Sequence, residues 1–168
     1  MPKIGDLKVS AHRDTEILMT RTFSAPRRLV WYAWTKPELV RRWLLGPDGW
    51  SSALCEIDLR VGGKYRFVTR HEKGHEMGWG GVYREIAAPE RLVSTEAFDQ
   101  SWYPGGCVNT LVLTEQGGRT AMALTGRYDT REARDAALAS PMESGVDASF
   151  ARMEKVLAEI AANPARGA

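Results

Sequence analysis

The period of the hydrophobic pattern changes twice along this chain, and no other feature restricts its fold as much. From Pro26 to Trp43 the apolar residues recur at helical spacing: Leu29, Val30, Ala33 and Trp34, then Leu39, Val40 and Trp43 behind Pro37. From Ser52 to Tyr128 the apolar side chains come in short runs of period two, punctuated by glycine and proline. From Pro141 or Met142 to about Ala162 the helical spacing returns, with Val146, Phe150, Met153, Val156, Leu157 and Ile160 opposite Glu143, Asp147, Arg152 and Glu159. The β runs are joined by connections too short for parallel crossovers, so they predict antiparallel neighbours. A meandering sheet with helices gathered before and after it is an α+β arrangement, the last helix covering one face of the sheet.

The local signals refine this order. Thr15 to Phe23 reads as a strand, and Ser24 is expected to cap the helix that follows, with Pro26 in its first turn. Thr35 is expected to cap a second short helix, which Gly46-Pro47-Asp48-Gly49 ends. Six strands are predicted next, over 52–61, 64–71, 76–87, 91–98, 108–115 and 119–128. In the first of them Cys55, Ile57, Leu59 and Val61 share a face, and Gly62-Gly63 is the expected two-residue hairpin turn. A short helix over 131–139 precedes the long one, which Asn163-Pro164 stops. Residues 1–14 are polar and expected to fray, 15–162 form one domain, and 163–168 are a tail.

Composition excludes several functions. Lys and Arg number 23 against 21 Asp and Glu, a net charge of +2 with no basic stripe, so nucleic acid is not an expected partner. No apolar run approaches a membrane span, and Met1 to Asp14 has no secretory pattern. Cys55 and Cys107 form no metal-type pair and read as reduced core residues, which places the chain in the cytoplasm. Six Trp in 168 residues is the compositional oddity, suited to a wide core or a lined pocket.

Four segments carry a family resemblance: FSAPRRLVWYAWTKPELVRRW from Phe23, DLRVGGKYRF from Asp58, GVYREIAAPERLV from Gly81 and EARDA from Glu132. Together they resemble bacterial members of the AHSA family (activator of heat-shock-chaperone ATPase homologue-like) of the START-like, or SRPBCC, superfamily. The resemblance spans about Thr15 to Ile160. It implies a helix-grip (START/Bet v 1-like) fold, a curved antiparallel sheet wrapped around a long C-terminal helix. Superfamily relatives include lipid and hormone carriers, polyketide cyclases and proteins that sequester reactive metabolites, so the fold implies a pocket without naming its ligand. Two departures fall where such a pocket would open. Ser140-Pro141-Met142 and Gly145-Val146 stand where relatives often carry Gly-Met and then an aromatic, and Leu44-Leu45 lengthens the segment before Gly46-Pro47.

Few residues suggest catalysis. His71 and His75 have H-x-x-x-H spacing, but Lys73-Gly74 between them makes a hairpin tip, so a solvated turn is preferred to a metal site. Gly78, Gly80 and Gly81 lie in a strand, where glycine more often marks a bend or a close approach than a ligand contact. Glu85, Glu96 and Asp99 could serve as acid or base if burial raised their pKa, although a surface role is preferred for all three. The aromatic set is the strongest candidate site. Trp43, Phe67, Trp79, Tyr83, Trp102 and Phe150, with Met153, come from separate elements that would converge, either as plain core or as the lining of a cavity. The leading expectation is therefore a binding protein for a hydrophobic or aromatic metabolite, with a link to stress, no cofactor and no metal. A cofactor-free cyclase or hydrolase is the first alternative and a co-chaperone-like interaction module the second. A homodimer is compatible with each, and a chaperone partner is suggested by the family name alone.

Overall fold

The computed structural model describes residues 5–163. Its elements in chain order are β1 (Lys8–His12), β2 (Glu16–Phe23), α1 (Arg27–Thr35), α2 (Pro37–Trp43), β3 (Trp50–Ile57), β4 (Lys64–His71), β5 (Glu76–Ala87), β6 (Arg91–Phe98), β7 (Cys107–Gln116), β8 (Arg119–Tyr128), α3 (Arg131–Ala139) and α4 (Met142–Ala162). The strands form one antiparallel sheet in the order β1-β2-β8-β7-β6-β5-β4-β3. From β4 to β8 each strand pairs with its predecessor, and α1 with α2 carries the chain from β2 to β3 at the far edge of the sheet. No helix among the described residues is long and apolar enough to cross a membrane.

Period two decides which face of the sheet is covered. On β7, Leu111 and Leu113 are buried, and on β8 Thr120 and Met122 face the same way. On α4, Phe150, Met153, Val156, Leu157 and Ile160 are all buried and join these strands in one core with Phe23, Val30 and Trp43. The spacing by three and four predicted this face of α4. Arg21, also buried, donates from Nη1 to the Phe150 carbonyl at 2.9 Å and tethers β2 to α4.

Four expectations are corrected. Lys8–His12 do not fray but pair with Glu16–Thr20 as an edge strand, because Val9 and Ala11 alternate with polar neighbours over a turn at Arg13, which takes φ 50°. Residues 1–4 and 164–168 lie outside the described residues. Ser24 does not cap α1, whose N-cap position is Pro26, and Thr35 ends α1 with its hydroxyl donating back to the Trp31 carbonyl at 2.7 Å. Finally, β3 stops at Ile57, and residues 58–63 form a longer connection in which Leu59 and Val61 are exposed. Only Gly62 there has positive φ (85°), and both Gly62 and Gly63 hydrogen-bond to Tyr83 of β5 rather than closing a two-residue hairpin.

The strand glycines do a packing job. A Cβ on Gly81 would stand 1.9 Å from the Thr95 carbonyl oxygen, and one on Gly80 2.5 Å from that of Tyr65. At Gly78 it would strike the Asp99 carboxylate, which pairs with Arg66 across β5 at 2.7 Å. Backbone cannot yield as a side-chain tip can. Gly81→Ala is therefore expected to cost about 3 kcal/mol or more, lowering the thermal midpoint by roughly 6–12 °C. Gly62→Ala, where a Cβ meets nothing within 4 Å and only the positive φ is at stake, should cost about 1 kcal/mol. Paired melting curves check both, and equal losses would mean that the close approach at Gly81 is not what matters.

Candidate functional site

Between the sheet, α2 and the first turns of α4 the side chains do not fill the interior, leaving a cavity of about 650 Å³. Alternation supplies its walls. Tyr65, Phe67 and Thr69 come from β4, Leu92, Ser94, Glu96 and Phe98 from β6, and Leu124, Gly126 and Tyr128 from β8. The bulge between Tyr83 and Glu85 on β5 breaks that strand's alternation just past Tyr83, so Tyr83 faces inward and Glu85 outward. Both segments expected at the mouth line the cavity: Leu44 to Pro47 on one side, and Ser140 to Met142 with Gly145 and Val146 on the other. They are tied together, since Ser149 accepts at Oγ from the Gly46 amide at 2.9 Å and Arg152 donates to the Gly46 carbonyl and pairs with Asp48 at 3.1 Å. Met77 and Trp102 line the cavity yet remain exposed, which puts them on its rim.

Six of the seven aromatic-set residues are brought together here: Trp43, Phe67, Trp79, Tyr83, Trp102 and Phe150 all line the cavity. Met153 does not, because it lies one helical turn deeper and is fully buried in the core. Sequence reasoning missed Tyr65 and Phe98, which join Tyr83, Phe67, Trp79 and Trp102 into an unbroken series. The rings run Tyr83–Tyr65 at 5.4 Å, Tyr65–Phe67 at 5.1 Å, Phe67–Trp79 at 5.7 Å, Trp79–Phe98 at 5.8 Å and Phe98–Trp102 at 4.5 Å. Period two on β4 and β6 already placed both rings beside their neighbours. Trp43 is fixed by its indole N–H, which donates to the Ala33 carbonyl at 2.7 Å.

The three carboxylates separate sharply. Glu85 lies on the surface with Arg91 at 3.1 Å, and Asp99 is paired with Arg66, which holds its carboxyl below the usual range. Glu96 is different. It projects into the cavity, where desolvation pushes its carboxyl up to about 7, opposed by a hydrogen bond from Asn109. The Cys107 thiol donates to Asn109 Oδ1 at 3.5 Å, which leaves the amide N–H groups of Asn109 for Glu96. Burial, with Glu96 adding to it, raises Cys107 to about 12, so this thiol is neutral and inert as a nucleophile. The same two causes raise the Tyr65 and Tyr103 hydroxyls.

Elsewhere the chemistry is sparse. His71 packs edge-on against Trp50 and accepts at Nδ1 from the Lys73 amide at 3.1 Å, its ring 6.2 Å from that of His75. No group of three or more His, Cys, Asp or Glu that could hold a metal occurs among the described residues. A second depression, about 710 Å³ and open to solvent, lies between residues 5–8 and the start of α4 beside Asp6, Glu143 and Asp147.

A sheet curled around a C-terminal helix with a ring-lined interior directs comparison to one family. The family model described as "Activator of Hsp90 ATPase homolog 1-like protein" matches residues 24–158. The chain belongs to that family. Among solved structures, a Rhodobacter sphaeroides protein is similar at 29% identity and a TM-score of 0.85, over 91% of this chain and 98% of that one. Protein Ms6760 from Mycobacterium smegmatis (20% identity, TM-score 0.80, 90% and 97% covered) shares the fold. So does an AHSA1-like protein from Aeromonas hydrophila (20% identity, TM-score 0.67, 83% and 93% covered). None of the curated proteins matches. The resemblance drawn from FSAPRRLVWYAW and its companion segments is thus shown for family and fold alike.

Proposed function

We propose that this chain binds a small, largely apolar or aromatic molecule within the sheet–helix cavity. One observation carries the reading: about 650 Å³ of space lies inside the fold behind a wall of aromatic rings. Ligand sites commonly occupy about 300–1,000 Å³ with mostly apolar walls and a few polar groups. Leaving such a wall unpacked forfeits dispersion contacts, and a bound apolar molecule would restore them. A cytoplasmic setting suits the two free cysteines.

The neutral dye N-phenyl-1-naphthylamine tests this. It should bind about one to one with enhanced fluorescence. Leu124→Trp, which enlarges a half-buried wall residue inward, should weaken the dye at least about tenfold while the fold is kept by circular dichroism. A folded wild type that binds neither dye nor any co-purified metabolite in native mass spectrometry would defeat the reading. The Hsp90-type chaperone partner named in the family description would then be the one to pursue.

Glu96 favours one second reading, a cofactor-free enzyme in the same cavity. A carboxyl poised near neutrality can give or take a proton at physiological pH. A retained metabolite recovered chemically changed by the wild type, and unchanged from Glu96→Gln, would select the enzyme.

A further inference from the structure

If the cavity is a ligand site, its end beside the β6–β7 connection is unlike the rest of its wall. Three strands and the loop after β6 bring polar groups there, and each of these groups is an acid or a neutral amide. Glu96 comes from β6, Asn109 from β7, Tyr128 from β8, and Tyr103 from the loop, with the buried Cys107 thiol behind Asn109. Tyr65 of β4 faces the same region, its hydroxyl donating to the Thr95 carbonyl at 2.7 Å.

Two of these groups lack partners that their burial calls for. Tyr103 is 5% exposed, and its Oη has no hydrogen-bond partner. A buried hydroxyl left unmatched costs stability, so this one marks a place for a ligand atom. The Glu96 carboxyl is desolvated, its stabilising contact comes from a neutral amide, and no Lys, Arg or His pairs with it among the described residues. Arg127 acts weakly on Cys107, and Asp129 acts on Cys107 and Tyr103. Both are exposed and neither pairs with Glu96. A desolvated carboxylate without a countercharge is costly and takes up a proton instead, unless a cation arrives with the ligand. An anionic ligand would meet the Glu96 carboxylate with no positive group beside it.

We propose that this end of the cavity is an amine subsite, where Glu96 and Tyr103 Oη receive the ammonium head of an amphipathic ligand. The aromatic body of that ligand lies along the Tyr65, Phe67, Trp79 and Phe98 rings. This assignment rests on the cavity being a ligand site and goes further by naming the ligand's chemical class. The ammonium donates to the Glu96 carboxylate and to the Tyr103 oxygen, and the neighbouring ring faces add cation–π attraction.

Three indoles differing only in their side chain test the assignment by calorimetry at pH 8: tryptamine, tryptophol and indole-3-acetate, with N-phenyl-1-naphthylamine run in parallel. Tryptamine, whose amine pKa is on the order of 10, stays charged. It should bind at least about tenfold tighter than tryptophol, with indole-3-acetate weakest. Glu96→Gln should reduce tryptamine to the level of tryptophol and leave the dye unaffected, and Tyr103→Phe should weaken tryptamine about threefold or more. On wild type, tryptamine affinity should fall between pH 8 and pH 6 as Glu96 takes up its proton, so a Glu96→Gln variant that fails to fold still leaves a decisive measurement. Tryptophol or indole-3-acetate binding as tightly as tryptamine, or tryptamine binding that ignores both pH and Glu96→Gln, overturns the assignment. Dye bound with none of the indoles bound also overturns it and leaves the general ligand reading standing. Tryptamine bound through Glu96 without dye binding upholds the assignment and narrows the function to amines.

Discussion

Phe150→Ala should destabilise the protein by about 3–5 kcal/mol, a fall in thermal midpoint of roughly 6–20 °C for a chain of this size. Phe150 is buried on α4 and meets Phe23 edge-on at 5.6 Å, with Trp34 at 5.7 Å and Trp43 at 6.0 Å. Removing the ring costs its transfer free energy, empties space that three rigid rings cannot collapse to fill, and loses their edge contacts. Phe150 also touches the cavity, so the variant should keep dye binding and enlarge the space available. Urea denaturation with tryptophan fluorescence measures the effect. A loss below about 1.5 kcal/mol would mean that the ring faces open cavity and that α4 is held elsewhere.

The second large effect is a gain. Glu96 titrates from an ordinary 4.5 up to about 7 in the fold, so the folded state holds its proton more tightly than the unfolded chain does. The stability conferred by that proton is complete below about pH 4.5 and is lost as pH rises through 7. Above that, the ligand-free protein carries a desolvated carboxylate. Glu96→Gln cannot ionise, so at pH 8 it should be more stable than wild type by about 1–3 kcal/mol, the upper figure being the full shift and the lower allowing for water in the cavity. Near pH 4.5 the two should coincide. Denaturation across this range decides the matter, and parallel curves at every pH would show that Glu96 is solvated. The same substitution is expected to impair amine binding. A residue whose removal stabilises the empty protein while weakening its ligand is the usual signature of a functional group.

Much of the architecture was legible because it depends on patterns a few residues long. The α4 face of Phe150, Met153, Val156, Leu157 and Ile160 follows from helical spacing, and the β4 and β6–β8 meander from period two between turns. The misreadings occurred where a segment's fate depends on the backbone packed beside it rather than on its own pattern. Lys8–His12 looked too polar to fold, yet an edge strand needs only the β2 backbone beside it and can leave its side chains in water. Gly62-Gly63 looked like a hairpin turn until Tyr83, some twenty positions on, proved to hold both their backbones.

The site divides in the same way. The aromatic character of the wall was readable from Trp43, Phe67, Trp79, Tyr83, Trp102 and Phe150, because large rings at inward positions have few other places to go. Met153 was assigned to the wall from helix phase, which tells which side a residue faces but not how deep the sheet lies beneath it. Glu85, Glu96 and Asp99 looked equivalent as carboxylates on neighbouring strands. Alternation from Leu92 through Ser94 to Glu96 and Phe98 could have singled out Glu96, whereas Glu85 and Asp99 met Arg91 and Arg66 on the outer surface. By itself, then, the sequence determined the fold class, the faces and the aromatic lining, since these follow from short-range periodicity and side-chain size. Only the tertiary structure decided that Glu96 is desolvated without a countercharge beside an unpartnered Tyr103 hydroxyl. Desolvation is a property of everything that surrounds a group, and here the surroundings come from β4, β6, β7, β8 and a loop that meet only when the sheet closes.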